Sequence, residues 1–160
     1  MKTIIIDDEQ EMEKIIRSCP VCFIAVSDTN CTPYVLPMNF GYKDKIIYLH
    51  SAPNGKIIDI LNHNNKISIA FTHGQQLAYQ NVEVACSYRM RSKSVIIEGV
   101  VEFIERDDEK IKALDIIMAQ YTERAFTYST PAVRNVKIWK VGINNFTCKL
   151  FGVKQNHTNF

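Results

Sequence analysis

Ile46-Ile47-Tyr48-Leu49-His50-Ser51-Ala52-Pro53-Asn54-Gly55-Lys56 reads as a strand that runs into a turn and then into the start of a helix. The apolar, β-prone residues Ile46 to Leu49 stop at His50-Ser51. Ala52 to Gly55 supplies turn residues. From Lys56 onward, Ile57, Ile58, Ile60 and Leu61 fall at helical spacing and predict a short helix over 56–62. A strand that feeds a Gly-containing turn and a helix N-terminus can hold an anion. Its unpaired N–H groups point outward and the helix dipole favours negative charge. Ser51 and Asn54 bring donors, and Lys56 brings a full charge. The same residues also make an ordinary strand-to-helix connection with an Asn cap and a surface lysine. The spacing matches neither a Walker A loop nor a dinucleotide fingerprint.

Upstream, residues 7–18 predict a helix. Asp7 or Asp8 caps it, and Met12, Ile15, Ile16 and Cys19 form its apolar face. Pro20 ends it. Val21 to Ser27 is a continuous apolar run, which predicts a strand buried on both faces. Thr32 to Phe40 predicts a second strand, with Pro37 marking an edge, a bulge or an end. Gly41 to Lys45 predicts the turn before the Ile46 strand. These three runs lie close together in sequence, which suggests an antiparallel meander.

Downstream, Lys66 to Thr72 alternates and predicts a strand, and His73 to Val82 predicts a loop. Val84 to Arg91 fits either a strand or an ordered loop. Ser94 to Ile104 (SVIIEGVVEFI) carries the strongest β signal, with Gly99 marking a bend or a close backbone approach. A helix follows from Asp107 to about Tyr121, with Ile111, Leu114, Ile117, Met118 and Tyr121 at helical spacing. Thr122 to Pro131 predicts a loop, Asn135 to Val141 a strand around Trp139, and Phe146 onward a short strand. Residues 155–160 predict a frayed tail. Many short strands and few helices give a mainly β fold with peripheral helices, in one domain spanning residues 1–160.

The chain has 160 residues and a net charge of +2, which gives no reason to expect nucleic acid as partner. No apolar run is long enough to span a bilayer, so no membrane is expected. The N-terminus does not read as a secretory signal, and a cytoplasmic location is the default. Five cysteines there predict reduced thiols. Cys19-Pro20-Val21-Cys22 is a CxxC, but a helix precedes it and a strand follows. A reactive thiolate needs the reverse order, with its sulfur at a helix N-terminus. No metal-ligand spacing is present. Arg89, Arg91 and Lys93 share one face if extended, either as a solvated face or as a phosphate contact. His50 ends its strand beside the turn, without a readable catalytic partner.

The stretch YVLPMNFGYKDKIIYLHSAPNGKIIDIL, followed by NNKISIAF and later by Ser94 to Gly99, resembles the FMN-binding split-barrel superfamily. The best-known member of that superfamily is pyridoxamine 5′-phosphate oxidase. Within it, the "P-x-N-F" (Pro37 to Phe40), "H-S-A-x-x-G-K" (His50 to Lys56) and "S-V-I-x-x-G" order is similar to the branch of nitroimidazole-resistance proteins. The resemblance covers roughly residues 10–145.

That resemblance implies a six-stranded antiparallel split β-barrel that forms a homodimer, with FMN in two clefts at the interface. It implies that Lys56 holds the FMN phosphate. Gly55 stands where the oxidases carry Arg, and Lys93 is the candidate substitute. Leu36, Pro37, Met38 and Asn39 match the segment along the isoalloxazine ring, with Asn39 replacing a Lys. Leu49, His50 and Ser51 match cofactor contacts, and Ser94 matches a polar residue that reaches the flavin. His50 is also the candidate to shape a substrate pocket. The C-terminal Trp and Arg motif of the oxidases is not recognisable, so pyridoxamine phosphate is not the expected substrate. The implied function is an FMN-dependent oxidoreductase that reduces a small electron-poor compound such as a nitro compound, with NAD(P)H as donor. The alternative is a non-catalytic flavin- or haem-binding module for storage, sensing or transport. A bound flavin brings its own redox chemistry, so no acid/base pair need appear in the sequence.

Overall fold

A computed structural model describes residues 2–153. Its elements are β1 (Lys2–Ile6), α1 (Glu9–Ser18), β2 (Cys22–Ser27), β3 (Pro33–Met38), β4 (Phe40–Lys43), β5 (Ile46–Ser51), α2 (Lys56–His63), β6 (Lys66–Ala78), β7 (Arg89–Ile104), α3 (Asp107–Ala119), α4 (Thr130–Arg134), β8 (Lys137–Gly142) and β9 (Asn145–Val153). The expected frayed tail at 155–160 lies outside the described residues.

The strands form one curled antiparallel sheet in the order β3-β2-β6-β7-β8-β5-β4. β3 and β4 stand at opposite ends of that path, yet a single residue, Asn39, separates them in the chain. The corner at Asn39 therefore closes the sheet into a barrel. β8 and β9 run consecutively along β7, with Val141 opposite Val101 and Asn145 opposite Glu98. Taking β3–β4 as one bent strand and β8–β9 as one interrupted ribbon gives the expected six strands around the barrel. β1 adds an outer edge on β9, which brings the count among the described residues to nine.

The three early runs form the expected antiparallel meander, with its middle strand bent at Asn39: β2 pairs with β3, β4 pairs with β5, and β5 continues onto β8. Other expectations are corrected. The reversal before β5 is the two-residue turn Asp44-Lys45, both at positive φ, so β4 fills most of the expected turn. β2 alternates instead of being buried on both faces: Ile24 is fully enclosed and Phe23 is 41% exposed. Residues 73–78 are strand rather than loop, and β7 starts five residues before Ser94. The short strand expected from Phe146 onward is the nine-residue β9, Asn145–Val153, and β1 and α4 are further elements that the sequence pattern did not predict. In α3 the buried positions are Lys110, Ala113 and Ile117, while Ile111 is exposed.

The core fills the barrel and is plugged by two helices. Met12, Ile15 and Ile16 of α1 and Ile60 and Leu61 of α2 join Phe40, Phe71, Ile97 and Trp139. Phe40 and Phe71 meet edge to face at 5.0 Å. Each such fully buried side chain stabilises the fold by about 1.5–3 kcal/mol. α1 is tied to the barrel by three acids near its start: Glu9 pairs with Lys45, Glu11 with Lys93, and Glu13 accepts from the Tyr42 hydroxyl. At the other end the Asn64 amide, just after α2, donates to the Ser27 carbonyl. A side chain at Gly99 would meet Val141 Cγ1 at 2.6 Å. This is the expected close approach, and it falls where β7 passes from β9 to β8.

Candidate functional site

The strand-to-helix stretch folds as its sequence predicts, with one change. β5 ends at Ser51, a bend covers residues 53–55, and α2 begins at Lys56. The N-cap is Gly55, not Asn54. Its φ of +129° lies where side chains are strained, and no side chain caps the helix. The first intrahelical bond runs from Asp59 N–H to the Gly55 carbonyl. The preceding N–H groups of the first turn are therefore left for an external acceptor. The Ser51 hydroxyl donates to the Ala52 carbonyl, which leaves its lone pairs free. Lys56 is exposed, and its ammonium lies 4.4 Å from the centre of the Tyr34 ring. Tyr34 is the residue that sequence reading missed; its only signal is its place at the start of the alternating YVLPM run.

β3 carries the next group as a rail that starts at Tyr34. Leu36 and Met38 lean inward against the core, while Pro37 and Asn39 are exposed. From Tyr34 to Asn39 is about 16 Å at ~3.3 Å per strand residue. An extended phosphorylated ribityl chain with a tricyclic ring has that order of length. The uncapped helix start, the lone ammonium and the exposed rail thus fit a flavin phosphate at one end and a ring system along the other. Ser94 lies on the outward face of β7, paired with Thr72 of β6.

Leu49, His50 and Ser51 separate. Leu49 is fully enclosed in the core, so only its backbone remains for a ligand. His50 is half-buried opposite Ile138, and its Nδ1 is enclosed without a partner among the described residues. Desolvation pushes its pKa below the ordinary 6.5, so the imidazole is neutral at pH 7. The unfolded chain then takes up the proton first as pH falls, and stability is lost below about 6.5. His50→Leu is expected to reduce the loss of stability between pH 7 and pH 5, measured by urea unfolding. An unchanged pH dependence would refute that burial effect.

Lys93 is not brought to Lys56 within one chain. Its level on β7 lies six residues from Gly99, which the strand register aligns with Tyr34. Its ammonium is paired with Glu11. Arg89 donates to the Gly152 carbonyl, so the basic run does not act as one free face.

The CxxC is sealed. The Cys19 thiol donates to the carbonyls of Ile15 and Thr72, and burial raises its pKa. Burial pushes Cys22 up to about 12. All five cysteines are free, with Cys31 and Cys86 exposed and Cys19, Cys22 and Cys148 buried. A thiol-titrating reagent is expected to count two fast cysteines in the native protein and five after unfolding. Rapid reaction of a third would show the CxxC to be accessible. No group of three His, Cys, Asp or Glu residues able to hold a metal occurs among the described residues. No helix among them is long and apolar enough to cross a membrane.

The family model described as pyridoxamine 5′-phosphate oxidase matches residues 8–149. A solved structure of a candidate 5-nitroimidazole antibiotic resistance protein from Bacteroides thetaiotaomicron is 50% identical. It aligns over 93% of this chain and 87% of its own, with a TM-score of 0.85. Two more distant structures share the fold. A flavocytochrome from Azotobacter vinelandii is 19% identical over 91% of this chain and 68% of its own, with a TM-score of 0.79. An FAD- and haem-binding protein from Mycobacterium smegmatis is 16% identical over 94% of this chain and 73% of its own, with a TM-score of 0.81. No curated protein matches the chain by sequence.

Proposed function

Because the chain belongs to the pyridoxamine 5′-phosphate oxidase family, we propose that it is an FMN-binding oxidoreductase that reduces a small electron-poor compound, of which a nitro compound is the model. The observation that carries this reading is the uncapped start of α2, with Lys56 beside it and the exposed β3 rail leading away. The relative linked to 5-nitroimidazole resistance supports the substrate class.

In this reading the first-turn N–H groups of α2 and the Lys56 ammonium hold the phosphate, and the Ser51 hydroxyl donates to it after turning away from the Ala52 carbonyl. Gly55 leaves the backbone open to the ligand, since nothing lies within 4 Å of where its Cβ would be. Pro37, Asn39 and Ser94 hold the ring end, and Leu36 and Met38 shape the rail from behind. Bound FMN supplies the two-electron chemistry. The neutral His50 ring offers a hydrogen bond to a substrate without adding charge. NAD(P)H is the proposed donor. The working form is a homodimer with the cofactor at its interface. We place it in the cytoplasm, where free thiols persist.

The test is anaerobic. Protein loaded with FMN is mixed with NADH or NADPH and followed in the visible, and then a nitro compound is added. Bleaching followed by recovery supports the oxidoreductase. A flavin that binds but neither bleaches nor turns over points to the binding module, and a Soret band from haem in the isolated protein would displace the flavin reading.

A further inference from the structure

α3 crosses the outward face of the sheet, where β4, β5, β8 and β7 present one cross-strand row, Gly41–Tyr48–Lys140–Glu102. At the Gly41 end the helix backbone rests on the sheet, since a Cβ there would stand 2.6 Å from the Ile117 nitrogen. The rest of the row carries long side chains, so helix and sheet part along it. Glu109, Lys112 and Ile116 recur at helical spacing on one flank of α3. Between that flank and Tyr48, Lys140 and Glu102 lies a trough of about 290 Å³.

The floor of the trough is apolar. Ile104 and Ala113 are buried there with Ile138, and Tyr48 packs against the three. The same cluster closes the trough off from His50, which lies one row further on, opposite Ile138. No residue of the β3 rail or of the stretch from His50 to Lys56 lines it. It is a separate place from the proposed cofactor cleft.

The charged groups at its rim are not equally available. Glu102 pairs with Lys140 at 3.1 Å, and Glu109 lies 3.8 Å from Arg106. Lys112 is exposed and makes no ion pair among the described residues. Asp108, the acid one turn before it, is already bridged by Nε and Nη2 of Arg106. The half-buried Tyr48 makes no side-chain hydrogen bond among the described residues, and its hydroxyl is not among the sealed polar atoms. One cation and one phenol over an apolar floor are therefore left for a ligand. Together they recognise a carboxylate on a small apolar body. A cationic ligand would find both acids taken, and a neutral one would leave Lys112 unused.

We propose that this trough is a second binding site, for a small apolar monocarboxylate. Its ring or chain lies on Tyr48, Ile104 and Ala113, and its carboxylate accepts from the Lys112 ammonium and the Tyr48 hydroxyl. The site stands independently of the flavin reading.

Benzoate is the probe, with benzylamine and benzyl alcohol as cationic and neutral counterparts carrying the same ring. Each is titrated into the full chain and followed by backbone amide NMR shifts. Benzoate is expected to saturate below about 10 mM and to bind at least about tenfold more tightly than either counterpart. Its largest shifts should fall at residues 109–116 and around Tyr48 and Lys140. Lys112→Met keeps the length of the side chain and removes its charge. It is expected to raise the benzoate Kd about tenfold or more and to leave the weaker binding of benzyl alcohol unchanged. Tyr48→Phe removes only the hydroxyl and is expected to raise the benzoate Kd about threefold or more. Lys112 lies outside the core, so the urea unfolding transition checks that its variant folds. Lys56→Ala separates this trough from the start of α2, which also favours anions, and is expected to bind benzoate as the parent does. Absence of saturable benzoate binding, equal affinity for the three probes, an undiminished affinity in Lys112→Met, or a loss in Lys56→Ala overturns the assignment.

Discussion

Gly41→Ala is expected to destabilise the protein by about 3 kcal/mol, near the upper end for single substitutions. A Cβ at Gly41 would stand 2.6 Å from the backbone nitrogen of Ile117 and 2.7 Å from the Ile116 carbonyl group. These are main-chain atoms of α3, so no rotamer change relieves the clash; the whole helix must lift. Lifting it strips contacts from Ala113 and Ile117 and strains two bonds that anchor this side of the barrel. One is the Phe40 N–H to the Tyr121 hydroxyl at 2.9 Å. The other is the Lys110 ammonium to the Val136 carbonyl at 3.0 Å. Gly142→Ala is the control. It has no atom within 4 Å of the added carbon and no positive φ, so its change is expected within about 0.5 kcal/mol. Urea unfolding of the three proteins decides the matter, and equal midpoints for parent and Gly41→Ala would show that α3 does not pack as described.

Lys56→Ala is expected to weaken FMN binding by about 1.5–3 kcal/mol, the range for a hydrogen bond to a charged group. That is roughly a 10- to 150-fold rise in Kd. The lysine is exposed, makes no ion pair among the described residues and lies over the Tyr34 ring, so unfolding should change little. Binding by the parent should also weaken with added salt, and that dependence should be shallower in the variant. Lys93→Ala provides the contrast, because its charge faces Glu11 at the α1 end of the barrel. Its expected effect on FMN is much smaller. Equal losses in the two variants would mean that the phosphate is not at α2.

Elements whose pattern is local were legible in the sequence. The Ile46–Lys56 stretch showed its strand, turn and helix start because periodicity changes abruptly at Pro53 and Gly55. The α1 face was legible from Met12, Ile15 and Ile16. The pairings of β5 with β8 and of β7 with β9 were not, because they join strands far apart in sequence. Pro37 marked a break in the second strand, but not that the corner at Asn39 carries β4 to the other end of the sheet path. The second half of β6 read as a loop because the bulge at residues 73–76 breaks the two-residue alternation. At the site, Lys56 and Ser51 could be named from their place at a helix start. Tyr34 could not, since its approach to Lys56 is tertiary. The contact of Lys93 with Glu11 was hidden for the same reason, which left its charge looking available.

The central claim is that the start of α2 and the β3 rail bind FMN. Titrating cofactor-free protein with FMN, followed by the change in its visible spectrum, tests this most directly. The expected result is saturation at one FMN per chain, with affinity that falls when Lys56 is replaced by Ala. Absence of saturable binding, or saturation with the same affinity in Lys56→Ala, would contradict it.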